Sequence, residues 1–384
     1  MEVYLDNSAT TRVRKEVIDK MVDVLDNEYG NPSSIHLKGY RAEKILDVSR
    51  DSVAKLIKSE KDNVVFTSGG TESNNFAIRG IAYGMKRMGN HIITSKIEHP
   101  SVLNVMKQLE EEGYNVTYLN VDKNGKINLG ELEQAINDKT ILISIMGVNN
   151  EIGTIEPIDM IAKLKEKSNI AYYHVDGVQA IGKIDINVKD QNIDLLSISG
   201  HKIHGPKGIG ALYIKKGTKI KPIIYGGGQE RNLRSGTENL PGIAGLGLAC
   251  KLISENFKTY TSKLMALKKR LYDGIISEIT DVHLNGPDID NGAPQILNVS
   301  FLGVRGEVLL HALEEKGIYV STGSACSSHK ETESHVLKSI GLSHDFIESA
   351  IRFSLGLFNT ENEIDYTIDT LKEKVNLLRK YKRR

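Results

Sequence analysis

The sequence predicts an α/β protein in which a large domain with a mostly parallel sheet wrapped by helices is joined to a smaller α+β domain. Short apolar runs of strand length alternate with amphipathic helical stretches from about residue 63 to about residue 200, which is the rhythm of βαβ units. At 384 residues the chain also exceeds what one hydrophobic core spans comfortably. In addition, Thr71, His99, Asn150, Asp176 and Lys202 each stand just after a strand-like run, and ligands in such sheets gather beyond the carboxyl ends of the strands. The expected division assigns residues 16–257 to the large domain, and residues 1–15 and 258–384 to the small one.

Taken in order, Val3-Tyr4-Leu5 is a short strand followed by the polar turn segment Asp6 to Thr11. Helical spacing over Val13 to Leu25 puts Val17, Met21, Val24 and Leu25 on one side, and a second helix runs from Leu37 to Leu56 after Asn31-Pro32-Ser33-Ser34 breaks the chain. Asn63 to Thr67, then Ser68-Gly69-Gly70-Thr71-Glu72, then a helix through Phe76 and Ile81 is a strand, glycine turn and helix. That order leaves backbone N–H groups aimed at an anion such as a phosphate, with the Thr71 hydroxyl beside them. It is neither a P-loop nor a GxGxxG pattern, which argues against a nucleotide as the owner of that phosphate. His91 to Thr94 is strand-like, and Pro100 suits the first turn of a helix reaching about Glu112. Alternation continues through Val116–Leu119, Leu132–Ile136, Ile141–Met146, Ile158–Lys167 and Ile170–Val175.

After the glycine-rich stretch around Gly226 to Thr237, an apolar helix carries Cys250, which is expected to pack in the core. The amphipathic stretch Lys251 to Ile279 leads toward the second domain. Ile296 to Phe301 is a strand, Val308 to Lys316 a helix, Ile318 to Val320 a strand, and Glu363 opens a final amphipathic helix. Between them Ser321 to Glu333 is small, polar and without apolar periodicity, so it is expected to be a mobile loop. A cysteine there, Cys326, is a candidate nucleophile. In the strand Ile351 to Gly356, Arg352 falls on the polar phase, where an inward guanidinium could clamp a carboxylate.

Composition narrows the function classes. With 50 basic and 49 acidic residues there is no field for nucleic acid or an anionic membrane. The two cysteines form neither a disulfide framework nor a CxxC metal pattern, so a reducing, cytoplasmic setting is expected. The opening residues turn polar by Asp6 and hold no apolar stretch of signal or membrane-spanning length. His201 and His204 have no third ligand near them in sequence, and no metal is expected.

The most telling stretch is Ser197 to Ile214. An apolar run from Asp194 to Ile198 ends in Ser-Gly-His-Lys, with glycines at 200, 205, 208 and 210 allowing close backbone approach around Lys202. Upstream, the run Ile170 to Val175 ends in Asp176. A lysine able to lose its proton and an aspartate held ionised are what pyridoxal phosphate needs, an amine to condense with its aldehyde and a carboxylate at its ring nitrogen.

These segments carry a resemblance. HVDGVQ, SGHKIHGPKGIGALYI and GGGQERNLRSGTEN, together with YLDNSATT, NPSSIH, FTSGGTESNN, EHPSV, VNNEIGTIEP, STGSACSS and IRFSLG, resemble the cysteine desulfurases of the NifS/IscS group, within the fold-type-I pyridoxal-phosphate transferases. The match runs in order over nearly the whole chain. The resemblance implies conversion of L-cysteine to L-alanine, with sulfane sulfur held as a persulfide on Cys326 and passed to a sulfur-acceptor protein, an iron–sulfur scaffold or a tRNA thiolase. It implies that Lys202 holds the cofactor and acts as the base on Cα, that Asp176 meets the ring nitrogen and Gln179 the ring oxygen, and that His99 stacks on the ring as an acid/base. Gly70, Thr71, Ser199 and His201 would hold the phosphate, with Thr237 supplied by the other subunit of a homodimer. Asn150 would sit beside the ring, and Arg352 would bind the substrate carboxylate. His204 and Lys207 receive no role. A scaffold-docking C-terminal extension found in some members has no visible counterpart. The alternatives are a selenocysteine lyase, another fold-type-I aminotransferase with no use for a thiol loop, and a catalytically lapsed scaffold that keeps the cofactor.

Overall fold

The computed structural model describes residues 1–322 and 333–381; Cys326 and most of its predicted loop lie outside the described residues. From the N-terminus, β1 (Val3–Tyr4) leads into α1 (Lys15–Asn27) and α2 (Leu37–Leu56). Strands and helices then alternate as β2 (Val64–Thr67), α3 (Gly70–Met85), β3 (His91–Ser95), α4 (Pro100–Glu111), β4 (Asn115–Leu119), α5 (Leu129–Ala135), β5 (Thr140–Met146), α6 (Ile158–Lys165) and β6 (Tyr172–Asp176), followed by β7 (Leu195–Ser199) and β8 (Gly210–Ile214). These strands form one sheet in the order β2-β8-β7-β6-β5-β3-β4. Only β8 runs against its neighbours in it.

All residues of the central strand β5 are buried, as a parallel sheet covered on both faces requires. On one face Phe76 and Ile81 of α3 pack with Val102 and Met106 of α4. On the other, Leu46 and Val53 of α2, Ile161 of α6 and Ile243 further along the chain close the core. The chain steps outward from β3 to β4 and then returns to place β5 on the other side of β3, so the carboxyl ends of β3, β5, β6 and β7 border the point where the winding reverses. Clefts open at such points.

The helix α7 (Leu240–Glu278) continues through both of the stretches that the sequence suggested were separate, departing from helical geometry only at Asn256. Before that residue its apolar face, with Ile243, Cys250 and Ile253, belongs to the first core; after it, Tyr260, Leu264 and Leu271 belong to a second. Around the second core lie β9 (Val282–Leu284), β10 (Ile296–Phe301), α8 (Gly306–Glu314), β11 (Ile318–Tyr319), β12 (Ala350–Ser354) and α11 (Glu361–Tyr381), while α9 (His335–Ser339) and α10 (His344–Glu348) pack in a smaller apolar cluster with Ile97, Met146 and Ile152. Strands β12, β10 and β9 form an antiparallel sheet, and β1 pairs in parallel with β11. Val3 and Leu5 are thereby buried in the second core. The next residues cross to the first, where the N–H of Thr11 reaches the carbonyl of His201.

Among the sequence expectations, Leu25 differs. It is exposed while Val17 and Val24 are buried, because α1 packs along a narrower stripe than its spacing suggested. Arg352, expected to point inward, is buried.

The loop before α7 is held by a buried ion pair. Arg50 donates from both terminal nitrogens to the Glu230 carboxylate at 2.7 Å, and the same carboxylate accepts the N–H of Phe66 at 2.8 Å. Glu230, Arg231 and Asn232 all take positive φ, a left-handed turn that non-glycine residues adopt only when their surroundings enforce it. Glu230→Ala leaves Arg50 buried without its counter-charge and should cost about 3–5 kcal/mol, read as a lowered midpoint in urea unfolding.

Candidate active site

Every residue given a site role from the sequence, apart from Thr237 and Cys326, lines one cavity of about 280 Å³ beyond the carboxyl ends of the strands. Thr237 is exposed and does not line the cavity of its own chain. Cys326 lies outside the described residues. The elements explain the convergence: Asp176 and Ser199 are the last residues of β6 and β7, Met146 is the last of β5, and His99 stands four positions after β3.

Asp176 is buried at the cavity wall. Its Oδ1 accepts the N–H of Val178 at 3.0 Å, and its Oδ2 accepts from Asn74 Nδ2 at 2.8 Å. The same Asn74 amide donates to Ser101 Oγ at 2.9 Å, which leaves the Ser101 hydroxyl proton for His99 Nδ1 at 2.8 Å. The Ser101 N–H also donates to His99 Nδ1, at 3.1 Å, so that His99 is the N-cap of α4. A backbone N–H can only donate, and Nδ1 therefore carries no proton while Nε2 does. Burial holds the His99 pKa below its ordinary value, opposed by the Asp176 charge and reinforced by Lys202 and His335. The imidazole is thus a neutral donor near pH 7 rather than an evenly titrating acid/base.

Lys202 follows β7 in a short turn. Its Nζ donates to the carbonyls of Ser8 and, at 2.8 Å, Ala9. The Ser8 carbonyl also takes one N–H of the Gln179 side-chain amide at 2.9 Å, which leaves the second N–H of that amide at the cavity wall. From behind, Lys183 Nζ donates to the Lys202 carbonyl at 3.3 Å and stands over the Tyr260 ring, and burial pushes its amine down to about 7.

Arg352 donates from Nη2 to Asp6 at 2.8 Å and from Nη1 to the Asn150 carbonyl at 3.1 Å, while its buried Nε has no partner. The guanidinium expected to offer a full fork to a carboxylate already spends one arm on Asp6. At the opposite wall α3 begins at Gly70 with no side-chain cap. A Cβ on Gly70 would stand 2.7 Å from Val178 Cγ2, so only glycine leaves this first turn open beside Thr71, Ser199 and His201. Burial, then Lys202 and Lys207, pushes His201 down to about 4, leaving a neutral ring.

These features fit pyridoxal phosphate. The uncapped start of α3 offers N–H groups and the Thr71 hydroxyl to a dianion, Asp176 offers a buried carboxylate to a ring nitrogen, and Lys202 offers a primary amine. Sequence reasoning missed Ser8, Ala9, Asn74, Ser101, Met146 and Val178. Five of these, Ser8, Ala9, Asn74, Ser101 and Val178, lie inside motifs already marked, but as supporting partners rather than as bearers of reactive groups. His204 is a joint between the two cores: Nδ1 donates to the Arg12 carbonyl at 2.9 Å, and Nε2 accepts the Leu357 N–H at 3.2 Å.

The chain matches the family model described as Aminotransferase class-V over residues 3–367. It is 50% identical over 371 residues, 96% of this chain and 93% of the relative, to a protein of Clostridium botulinum (strain Hall) named cysteine desulfurase IscS. A relative of the same name from Methanosarcina thermophila is 48% identical, with 98% of this chain and 93% of the relative covered. Among solved structures, a NifS-like protein superposes with a TM-score of 0.93 at 39% identity, covering 98% of this chain and all of the other. A structure titled SspA in complex with cysteine gives 0.82 at 38% identity, over 93% of this chain and all of the other.

Buried neutral histidines set an acid limit. His174, bonded to Ser144 and Ser197, is pushed down to about 3 by burial alone, and His201 to about 4. Below the ordinary histidine value of about 6.5 the unfolded chain binds protons that the folded one refuses. Stability is therefore complete above that pH and falls as pH drops toward 4. His174→Gln should flatten this slope in urea unfolding measured between pH 7 and 4.5.

Proposed function

The chain belongs to the class-V aminotransferase family, and we propose that it works there as a cysteine desulfurase that converts L-cysteine to L-alanine and loads the released sulfur onto Cys326. The observation that carries this reading is the meeting of Lys202, Asp176, His99 and Arg352 in one cavity, from parts of the chain that share no local structure. The relatives named cysteine desulfurase align over nearly all of this chain and support the same choice.

Pyridoxal phosphate, when bound, supplies the sink for the electrons released at Cα. Lys202 would hold it through its amine, Asp176 would meet the ring nitrogen, and the start of α3 with Thr71, Ser199 and His201 would take the phosphate. Arg352, which lines the cavity, takes the substrate carboxylate, while Asp6 fixes the plane of the guanidinium. The Lys202 amine removes the Cα proton. His99, kept neutral with its proton on Nε2, donates from the side of the cavity opposite the Ser101 contact. The Cys326 thiolate then attacks the substrate sulfur; a sulfur–sulfur bond forms as the carbon–sulfur bond breaks, and Cβ gains a proton. Overall, cysteine and one thiol become alanine and one persulfide.

We assign the working form to a homodimer. Tyr29, Ile35 and Leu37 present apolar surface to solvent in the single chain, and the exposed Thr237 is free to reach the cavity of a second copy. The persulfide passes to an acceptor protein, an iron–sulfur scaffold or a tRNA thiolase. Among the described residues no helix is long and apolar enough to cross a membrane. A reducing cytoplasm suits both Cys326 and the free, buried thiol of Cys250.

The purified protein should be yellow, and cysteine should add one sulfur to Cys326 and none to Cys250 by mass spectrometry. Lys202→Ala should bleach the protein and slow alanine formation about 10²–10⁴-fold, the span of a positioned base. Cys326→Ser should keep the colour and lose the added sulfur. A yellow wild-type protein that leaves Cys326 unmodified would point to aminotransferase chemistry instead.

A further inference from the structure

Glu151 is a buried carboxyl that none of the steps above uses. It is 5% exposed, and burial raises it to about 7 against the pull of Ser334 and Arg352. Its Oε2 accepts the Ser334 hydroxyl proton at 2.5 Å, and that hydroxyl in turn accepts the Leu337 N–H at 3.1 Å as the cap of α9. The backbone of Glu151 is held as well: its N–H donates to Asn149 Oδ1 at 2.9 Å, and its carbonyl accepts from Asn298 Nδ2 at 3.1 Å. One residue along, His335 Nε2 donates to the Glu98 carbonyl at 3.0 Å. Behind both, Val336 and Leu337 pack on Ile97, Met146 and Ile152.

The sequence neighbours of these contacts matter. Glu151 follows Asn150, whose carbonyl holds Arg352, and Glu98 precedes His99. Ser334 stands eight positions after Cys326. Upstream of Cys326, Ser321 exchanges two backbone hydrogen bonds with Arg352, at 2.7 and 3.1 Å. Both anchors of the stretch that bears the thiol are therefore fastened to backbone that borders the cavity. An apolar pair would fill the Glu151–Ser334 position at lower desolvation cost, whereas the carboxyl–hydroxyl contact fixes direction and register.

Resting on the desulfurase reading, we infer that Glu151, with Ser334 and His335, is a positioning residue for sulfur transfer: it fastens the downstream anchor of the Cys326 stretch to the residues beside Asn150 and His99. The contact fixes the residues that follow the thiol-bearing stretch, and binding of the amino acid itself does not depend on it.

The test uses the cofactor-loaded enzyme and two readouts, the first-turnover appearance of persulfide on Cys326 and the visible spectral change on adding L-alanine, which reports amino-acid binding without sulfur. Ser334→Ala and Glu151→Ala should each slow the first turnover about ten- to hundred-fold, the cost of misplacing a reacting group, with the alanine response unchanged. The double variant should be no slower than either single one, as expected of two ends of one contact. Ser334→Thr and Glu151→Gln, which keep a hydrogen bond, should restore most of the rate. Unchanged sulfur transfer in both alanine variants overturns the inference. A parallel loss of alanine binding also overturns it, since that marks general damage. Failure of the desulfurase reading is told apart because the wild-type enzyme itself would then respond to alanine and leave Cys326 unmodified.

Discussion

The site depends on keeping one carboxylate, Asp176, out of water. A buried charge is tolerated only when hydrogen bonds replace its hydration, and here they come from the Val178 N–H and the Asn74 amide. The second of these propagates. Asn74 belongs to α3, Ser101 and His99 to the start of α4, and the proton directions along the line leave one tautomer for the imidazole. A single electrostatic requirement thus orients two helices and a ring at once. It also explains why polar residues occupy buried turns of α3 where an apolar residue would pack as well.

A second constraint is that the site spans two cores. The N-terminal segment starts in the second core, passes the carbonyls of Ser8 and Ala9 to Lys202, and continues into the first. Asp6 fixes Arg352 from the same segment. His204, two residues beyond Lys202, closes the joint with Tyr260 and Leu357. Lys202 and Arg352, the groups proposed to meet the two ends of an amino-acid substrate, are therefore held in register by one short stretch of chain.

Much of this was legible in the sequence, and the reason is physical. Lys202, Asp176 and Thr71 announce themselves because strand, turn and reactive residue are adjacent in the chain, and the sheet geometry then carries them to one edge. What stayed hidden depends on distance along the chain. The Asp6–Arg352 pair joins residues 346 positions apart, and the Arg50–Glu230 pair joins residues 180 apart. No local pattern encodes either. The exposure of Leu25 was missed for a related reason, since helical spacing defines a face but not its width. Lys183 is buried with its amine over the Tyr260 ring and on a backbone carbonyl, contacts that the sequence does not display.

The pairing of β1 with β11 bears on how the molecule is made. Val3 and Tyr4 leave the ribosome more than three hundred residues ahead of their partners Ile318 and Tyr319. At about 5–20 residues per second of synthesis, the opening strand waits of order tens of seconds with its apolar side chains unsheltered. The seven-stranded sheet can assemble during that interval from β2 through β8. Arg352, part of the cavity lining, is made later still, so the chamber is completed only after the late part of the chain has been synthesised. Nascent chains halted before residue 318 should hold a formed sheet around an unfinished chamber.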